Sequence, residues 1–482
     1  MGILVFGIGL CYRRYRFWLE KLDVTAFLDN DPAKQGREMF GHPVYVPAQI
    51  RDLDFSAVFV LGKYKNEMKK ELLALGIEEN RIFSEDDIES ALKQKWGHVE
   101  PEVFEPPERE GAANRNGILK KGKKNVLLCS HDLSISGAPL ALLNVAKVLQ
   151  KQGCAVTVAT GVVVEGDLRS EYAKLGVPVV YDFRMGRSSF RELQWIDGFD
   201  LILVNTSVLC NLFSERLVEQ APVIWWLHEP RETYDSLHGF TEGYLRNSNW
   251  NNVHVYGVSE VAIRAFRDKC SSPEKIDVLL PGLEDFRAEK VVVDQEKPFV
   301  FALIGALMEN KSQDVFLQAV GAMPEEVRKR CVFWLIGRID SDRSFSQKVQ
   351  RKVASMKEVV LCGHKSREEM KTLWMRINAV VVPSREETLS LAAVEGMMNQ
   401  AAVICSDENA IGIARYVREA KAGLLVPPGD VNALSIALTW IVQHPQECKK
   451  MGEHGRRVYE ENFSLLSLER SMNQIVAKNC FS

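Results

Sequence analysis

Short apolar runs of four to six residues, each closed by glycine, proline or a polar turn, alternate with longer stretches of helical character along nearly the whole chain. Residues 125–129, 155–159, 299–304 and 379–382 are examples, rich in valine, isoleucine and leucine. Runs this short, bounded by turn residues, read as strands buried on both faces. Strands of that kind alternating with helices specify βαβ crossovers and parallel sheets. The fold class is therefore α/β, and a length of 482 residues calls for about three such domains.

Residues 1–100 form the first unit. Strands at 3–6, 24–28, 57–61 and 81–83 alternate with helices at 12–22 and about 66–75. Gly7 and Gly9, followed by Asp29, partly fit a dinucleotide fingerprint, but Tyr12 stands where the third glycine belongs. The same glycines also serve simply to turn the chain tightly from strand to helix. Residues 101–123 read as a linker. They hold Pro106-Pro107, Gly111 and Gly117 and run into the basic Lys120-Lys121-Gly122-Lys123-Lys124, and their low apolar content argues against a packed element.

A second unit spans 124–292. Its first strand leads into Ser136-Gly137-Ala138 at the start of a helix, where the backbone amides around Gly137 can approach a phosphate. Strand 222–227 ends at His228-Glu229-Pro230, at the carboxyl end where α/β proteins place ligand contacts. His254 lies inside a strand and reads as a packed residue. A charged stretch, 285–297, precedes the next βα alternation and places a boundary near residue 293.

The third unit, 293–482, carries the densest chemistry. The strand at 299–304 is followed by Gly305 and then by Lys311 in a polar turn. The strand at 379–382 is stopped by Pro383 and followed by Glu387, seven residues, and Glu395. Thr388 or Ser390 is placed to cap the helix that begins there. Glu395 falls among Ala393, Val394, Gly396 and Met397, where an unpartnered carboxylate is costly. Lysine suits a diphosphate as a point charge, a carboxylate accepts from sugar or ribose hydroxyls, and a helix N-terminus takes a second phosphate. Together these describe a nucleotide-diphospho-sugar site.

Composition removes several classes. The charged fraction is 26%, the hydrophobic fraction 46% and the net charge −3, which weighs against a wholly nucleic-acid-binding chain. Ten cysteines lie scattered with no C-x-x-C pair, a pattern of reduced thiols rather than of disulfides or a metal site. No apolar run approaches the roughly 20 residues of a membrane span. The apolar N-terminus precedes Arg13, Arg14 and Arg16, the reverse of a signal peptide. The expectation is a cytoplasmic protein, with peripheral contact at the inner face of the membrane left open.

Residues from about 124 to 482 resemble retaining glycosyltransferases of the GT-B fold, in the large family 4. The resemblance rests on Ser136-Gly137-Ala138, His228-Glu229, Ile304-Gly305 through Lys311-Ser312-Gln313-Asp314, Pro383-Ser384 with Glu387 and Glu395, and residues 423–430. It implies two facing Rossmann-like domains, with the last helix crossing back to the first of them. It implies a metal-independent transfer from a nucleotide sugar to a glycan, lipid-linked or protein acceptor, with no resident cofactor, and leaves homo- or hetero-oligomers open. By the same resemblance His228, Lys311 and Glu387 serve catalysis. Gly137, Lys311, Glu387, Thr388, Leu389, Ser390 and Glu395 bind the donor, Lys311 at the diphosphate, Glu387 at the sugar and Glu395 at the ribose. The first hundred residues resemble small Rossmann-like domains attached to bacterial sugar-modifying enzymes, with Asp29-Asn30-Asp31-Pro32 after the second strand.

Two positions depart from the family pattern. Ala306 stands where an arginine is usual, and Thr388-Leu389-Ser390 where Gly-Phe-Gly is frequent. The first removes a positive charge from the diphosphate and keeps a second reading open, a non-catalytic partner or scaffold subunit. An isomerase would need further acid–base residues that the sequence does not offer, and an NAD-dependent role for the first ninety residues rests on the incomplete glycine pattern alone.

Overall fold

The structure, a computed structural model, describes residues 2–96, 102–104, 118–164, 167–187, 190–213, 221–236, 245, 250, 252–287, 298–340 and 344–480. The chain divides into two compact units. The first comprises 1–143, 154–204 and 208–221, the second 144–153, 205–207 and 222–482. The boundary expected near 293 and most of the expected linker fall outside the described residues.

The first unit holds two sheets. One is built from β1 (Ile3–Phe6), β2 (Val24–Leu28), β3 (Glu38–Met39), β4 (His42–Tyr45), β5 (Ala57–Val60) and β6 (Ile82–Ser84), in the order β3-β4-β2-β1-β5-β6. All neighbours are parallel except β3 and β4. Phe6 lies opposite both Leu28 and Val60, so the central strand is buried on both sides, as its unbroken apolar run requires. Asp29 ends β2 and is consumed by the protein itself. Its carboxylate accepts from Ile8 N at 3.0 Å, Asp31 N at 2.9 Å and Lys34 Nζ at 3.0 Å. It ties the first loop down, which is the structural use of this acidic position.

The other sheet of this unit contains β7 (Glu102–Phe104), β8 (Asn125–Ser130), β9 (Ala155–Thr160) and β10 (Val179–Tyr181), with β8, β9 and β10 parallel and β7 antiparallel to β10. Residues 102–104 were expected to be linker and are instead an edge strand. The stretch as a whole is poor in apolar residues, but Val103 and Phe104 are strand formers and suffice for three residues of antiparallel pairing. The next strand, β11 (Leu201–Asn205), is where the division between the units falls.

The helix α1 (Leu10–Leu19) fastens the small N-terminal sheet to this second one. Trp18 is buried, and its indole Nε1 donates to Gly161 O at 3.1 Å. Tyr15 and Trp18 meet the ring of Phe183 at 6.0 and 5.8 Å, and Phe17 meets Tyr181 at 5.8 Å. Arg187 donates to Glu85 O at 2.8 Å and pairs with Asp86 at 3.2 Å. The aromatic rings supply apolar area and geometric fit together, so the contact is a shared core rather than a flexible tether.

In the second unit β12 (Val223–Leu227), β13 (Val253–Gly257) and β14 (Asp277–Val278) are parallel neighbours. A six-stranded parallel sheet follows, from β15 (Phe299–Ile304), β16 (Cys331–Ile336), β17 (Val359–Gly363), β18 (Ala379–Val382), β19 (Ala402–Ser406) and β20 (Gly423–Val426), in the order β17-β16-β15-β18-β19-β20. The chain starts in the middle, winds outward to β17, then returns to β18 and winds the other way. The order reverses between β15 and β18, the place in an open α/β sheet where loops diverge and leave a crevice. The stacked rings of Phe301 and Phe333, 5.3 Å apart, anchor its core against the helices Gln313–Ala322 and Val431–Gln443.

The cysteines described are free thiols, and no described helix is long and apolar enough to cross a membrane.

Trp18→Ala should lower stability by about 3–5 kcal/mol, the usual cost of deleting a buried tryptophan. Urea denaturation measures the loss, and hydrogen exchange should place it in residues 10–28 and 155–187. Trp96→Ala, at an exposed tryptophan, should stay within about 0.5 kcal/mol.

Candidate functional site

Lys311 and Glu387 stand on the two sides of the β15/β18 reversal. After β15 the chain passes Gly305 and Ala306 into a short 3₁₀ turn, Glu309–Lys311, and then Ser312, whose φ of 55° is left-handed. A non-glycine residue held there stores some strain and sets the direction of the helix Gln313–Ala322. The side-chain amide of Gln313 reaches back to Ala306 O at 2.9 Å and closes the loop. The stem of Lys311 lies over Gly305, where a Cβ would sit 3.7 Å from its carbons. Its ammonium donates to Glu387 Oε1 at 2.6 Å.

Glu387 is clamped from all sides. Its second oxygen accepts from Ser384 Oγ at 2.8 Å, and Ser384 is itself held by Ser406 Oγ, 2.7 Å from its carbonyl. Glu387 N donates to Ala410 O at 2.8 Å and Gly412 N donates to Glu387 O at 3.1 Å. Arg385 N donates to Asn310 O at 2.8 Å, and its guanidinium donates to Glu309 O and pairs with Asp314 at 3.4 Å. This arginine ties the Lys311 loop to the Glu387 loop.

His228 joins the same group through its backbone. Thr388 Oγ1 donates to His228 O at 2.8 Å. The imidazole lies against Trp226, centroids 4.5 Å apart. The buried Glu229 fixes this turn, its Oε2 accepting from both His228 N and Ser207 N at 3.0 Å. Ser259 Oγ donates to Thr388 O, and Gly412 packs beneath the same carbonyl, where a Cβ would come within 1.9 Å. Glu386 accepts from Arg231 N at 3.0 Å. Ser259, Glu386 and Gly412 are supports that the sequence reading missed. Ser259 carries one readable signal, since it follows a strand and caps the helix Glu260–Arg267 through Ala262 N at 3.2 Å.

Ser390, not Thr388, caps the helix Leu391–Met398, accepting from Ala393 N at 3.4 Å. Leu389 is buried, so only its backbone is available to a ligand. Among the described residues no acceptor takes the backbone N–H of Thr388, Leu389 or Ser390. These donors, with the first turn of the helix, form a ready anion site. Glu395 sits one turn further on and is half-buried. No described residue hydrogen-bonds its carboxylate. Burial pushes its carboxyl up to about 7, with the charge of Arg367 pulling the other way. Such a group asks for a hydroxyl donor.

Gly137 belongs to the first unit, where it is exposed and opens the helix Gly137–Lys151. A groove of about 950 Å³ runs beside the site, bordered by Leu307, Asn310, Asp314, Phe345, Arg385 and Glu386. It adjoins the Lys311–Glu387 pair without including it. Among the described residues no group of three His, Cys, Asp or Glu side chains is placed to hold a metal ion.

The fold is that of the GT-B glycosyltransferases. The protein HepE from Anabaena, solved in complex with UDP and glucose, superposes with a TM-score of 0.61 at 15% identity, covering 73% of this chain and 99% of that one. Sucrose-phosphate synthase from Thermosynechococcus elongatus gives 0.60 at 17%, covering 74% and 99%. At these identities the likeness establishes the fold alone.

Sequence comparison adds glycosyltransferase matches over most of the chain. Residues 121–272 match the model for "Glycosyl-transferase family 4", residues 285–458 that for "Glycosyl transferases group 1", and residues 1–83 that for "C2185-like, N-terminal". The chain therefore carries, behind an additional N-terminal domain, one region that matches the family 4 model and one that matches the group 1 model. Among curated relatives, MMP alpha-(1->4)-mannosyltransferase from Mycolicibacterium hassiacum is 24% identical over 271 residues, 56% of this chain and 63% of that one. An uncharacterized glycosyltransferase from Methanocaldococcus jannaschii is 26% identical over 178 residues, 36% and 47%. The matches thus span about half to under two thirds of these relatives.

Because the carboxyl of Glu395 is pushed up in the folded chain, the native state binds more protons than the unfolded one between its ordinary 4.5 and about 7. Stability should fall as pH rises through that window, by about 3 kcal/mol at most. Glu395→Gln should flatten the fall. Urea melts at pH 5 and pH 8 measure it: relative to the unsubstituted protein, the variant should be more stable at pH 8 than at pH 5.

Proposed function

We propose that the chain is a retaining glycosyltransferase that moves a sugar from a nucleotide-diphospho-sugar to a glycan, lipid-linked or protein acceptor in glycoconjugate or polysaccharide synthesis. The observation that carries this reading is the Lys311–Glu387 pair at the strand-order reversal, with His228 brought to it through Thr388. Lys311 and the backbone N–H groups of residues 388–390 take the diphosphate. Glu387 keeps acceptor capacity for sugar hydroxyls beyond its bonds to Lys311 and Ser384. Glu395 takes the ribose hydroxyls. His228 borders the sugar.

In the proposed reaction the bond from the anomeric carbon to the diphosphate oxygen breaks, and its electron pair leaves with the diphosphate. The acceptor oxygen bonds the carbon on the same face, and its proton passes to the departing diphosphate. The charge that grows on the leaving group is met by Lys311 and the helix N-terminus, preorganised donors of the kind that supply most of such catalysis. No cofactor or metal has a role in these steps. The relatives with transferase names and the neighbour solved with UDP and glucose support the donor class.

Ala306 favours a second reading, a nucleotide-sugar-binding partner that does not turn over. Sugar transfer by the purified chain separates the two. A thermal-shift screen of nucleotide sugars first identifies the donor, since a bound ligand raises the melting temperature by mass action. Lys311→Met and Glu387→Gln should then each lower transfer about 10²–10³-fold. The double variant, with both charges removed, should keep its stability within about 1 kcal/mol and stay inactive. Full activity in both single variants would sink the proposal.

A further inference from the structure

We infer that Arg338 supplies a second positive charge to the donor diphosphate, from the loop after β16. The inference deepens the transferase reading and rests on it. β15 and β16 pair in register, ending with Ile304 opposite Ile336. One step on, Gly305 faces Gly337, and Ala306 faces Arg338. The backbone continues the pairing past the strands: Gly305 N donates to Ile336 O at 2.8 Å and Leu307 N to Arg338 O at 3.0 Å. The two loops touch so closely that a Cβ on Gly337 would stand 2.0 Å from Gly305 O and 3.0 Å from Ala306 N. Arg338 therefore leaves the sheet edge beside Ala306, one strand from the Gly305 over which Lys311 lies.

The two cations nearest the Lys311–Glu387 pair already have partners. Lys311 faces Glu387 at 2.6 Å, and Arg385 is held by Glu309 O and Asp314. Arg338 is exposed, and its guanidinium enters no ion pair or hydrogen bond with a described residue. Two phosphate groups arriving at a lysine already balanced by a carboxylate need another cation. A guanidinium fork can engage two phosphate oxygens at once, which an ammonium cannot. The short side chain of Ala306 leaves that position open to the arginine opposite it.

The test is equilibrium binding of UDP, GDP, ADP and TDP, with the parent nucleosides as controls, to the full chain and its variants. Arg338→Gln should weaken binding of the preferred diphosphate by about tenfold or more and leave the nucleoside affinity within about twofold. The loss should shrink as salt is raised. Ala306→Arg placed in the Arg338→Gln background should restore much of the affinity, which no structural role of Arg338 would produce. An unchanged melting temperature in Arg338→Gln shows that the fold is intact. Equal diphosphate affinity in Arg338→Gln and the unsubstituted chain overturns the inference while leaving the transferase reading standing. If the unsubstituted chain binds none of the four diphosphates, the transferase reading fails and this inference fails with it.

Discussion

Parallel strands can be joined only by crossovers that leave from their carboxyl ends, so every βα loop of such a sheet collects on one edge. In the six-stranded sheet the crossovers run one way from β15 to β17 and the other way from β18 to β20. The loops after β15 and β18 consequently diverge, and the lysine and the glutamate face each other across the gap at 2.6 Å. The serine and arginine supports and the left-handed turn at Ser312 all hold that one juxtaposition in place.

Much of this was legible in the residues themselves. Unbroken apolar runs ended by turn residues gave the strand at 379–382 with the bounds observed, and placed Lys311, His228 and Glu387 beyond strand ends. Periodicity carries that information because burial on both faces leaves no polar position in a strand. The edge strand at 102–104 was not legible, since three residues between Pro101 and Pro106 are too few for a period to show. Nor were Ser259 and Gly412 as supports of Thr388. Their role depends on contacts between segments far apart in the chain, and a serine or a glycine at a loop has many other uses. The choice of Ser390 over Thr388 as cap turned on a backbone angle, with Thr388 drawn away by the carbonyl of His228.

The incomplete glycine pattern near the N-terminus has a similar lesson. Asp29 has the position of a ribose-binding acid, yet its oxygens are spent on two backbone amides and Lys34. A carboxylate with three protein donors is a structural strut. Glu395 is the opposite case, half-buried with no donor among the described residues, and the contrast between the two acids is one that their sequence contexts do not show.

The bond from Thr388 to His228 spans 160 residues of chain, that from Ser259 to Thr388 spans 129, and that from Lys311 to Glu387 spans 76. Each closes a long loop, and the entropy of closure falls due before the contact can repay it. The β15–β18 pairing of Phe301 with Ala379 closes a loop of much the same length, so the long crossovers that build the sheet are also the ones that bring Lys311 to Glu387.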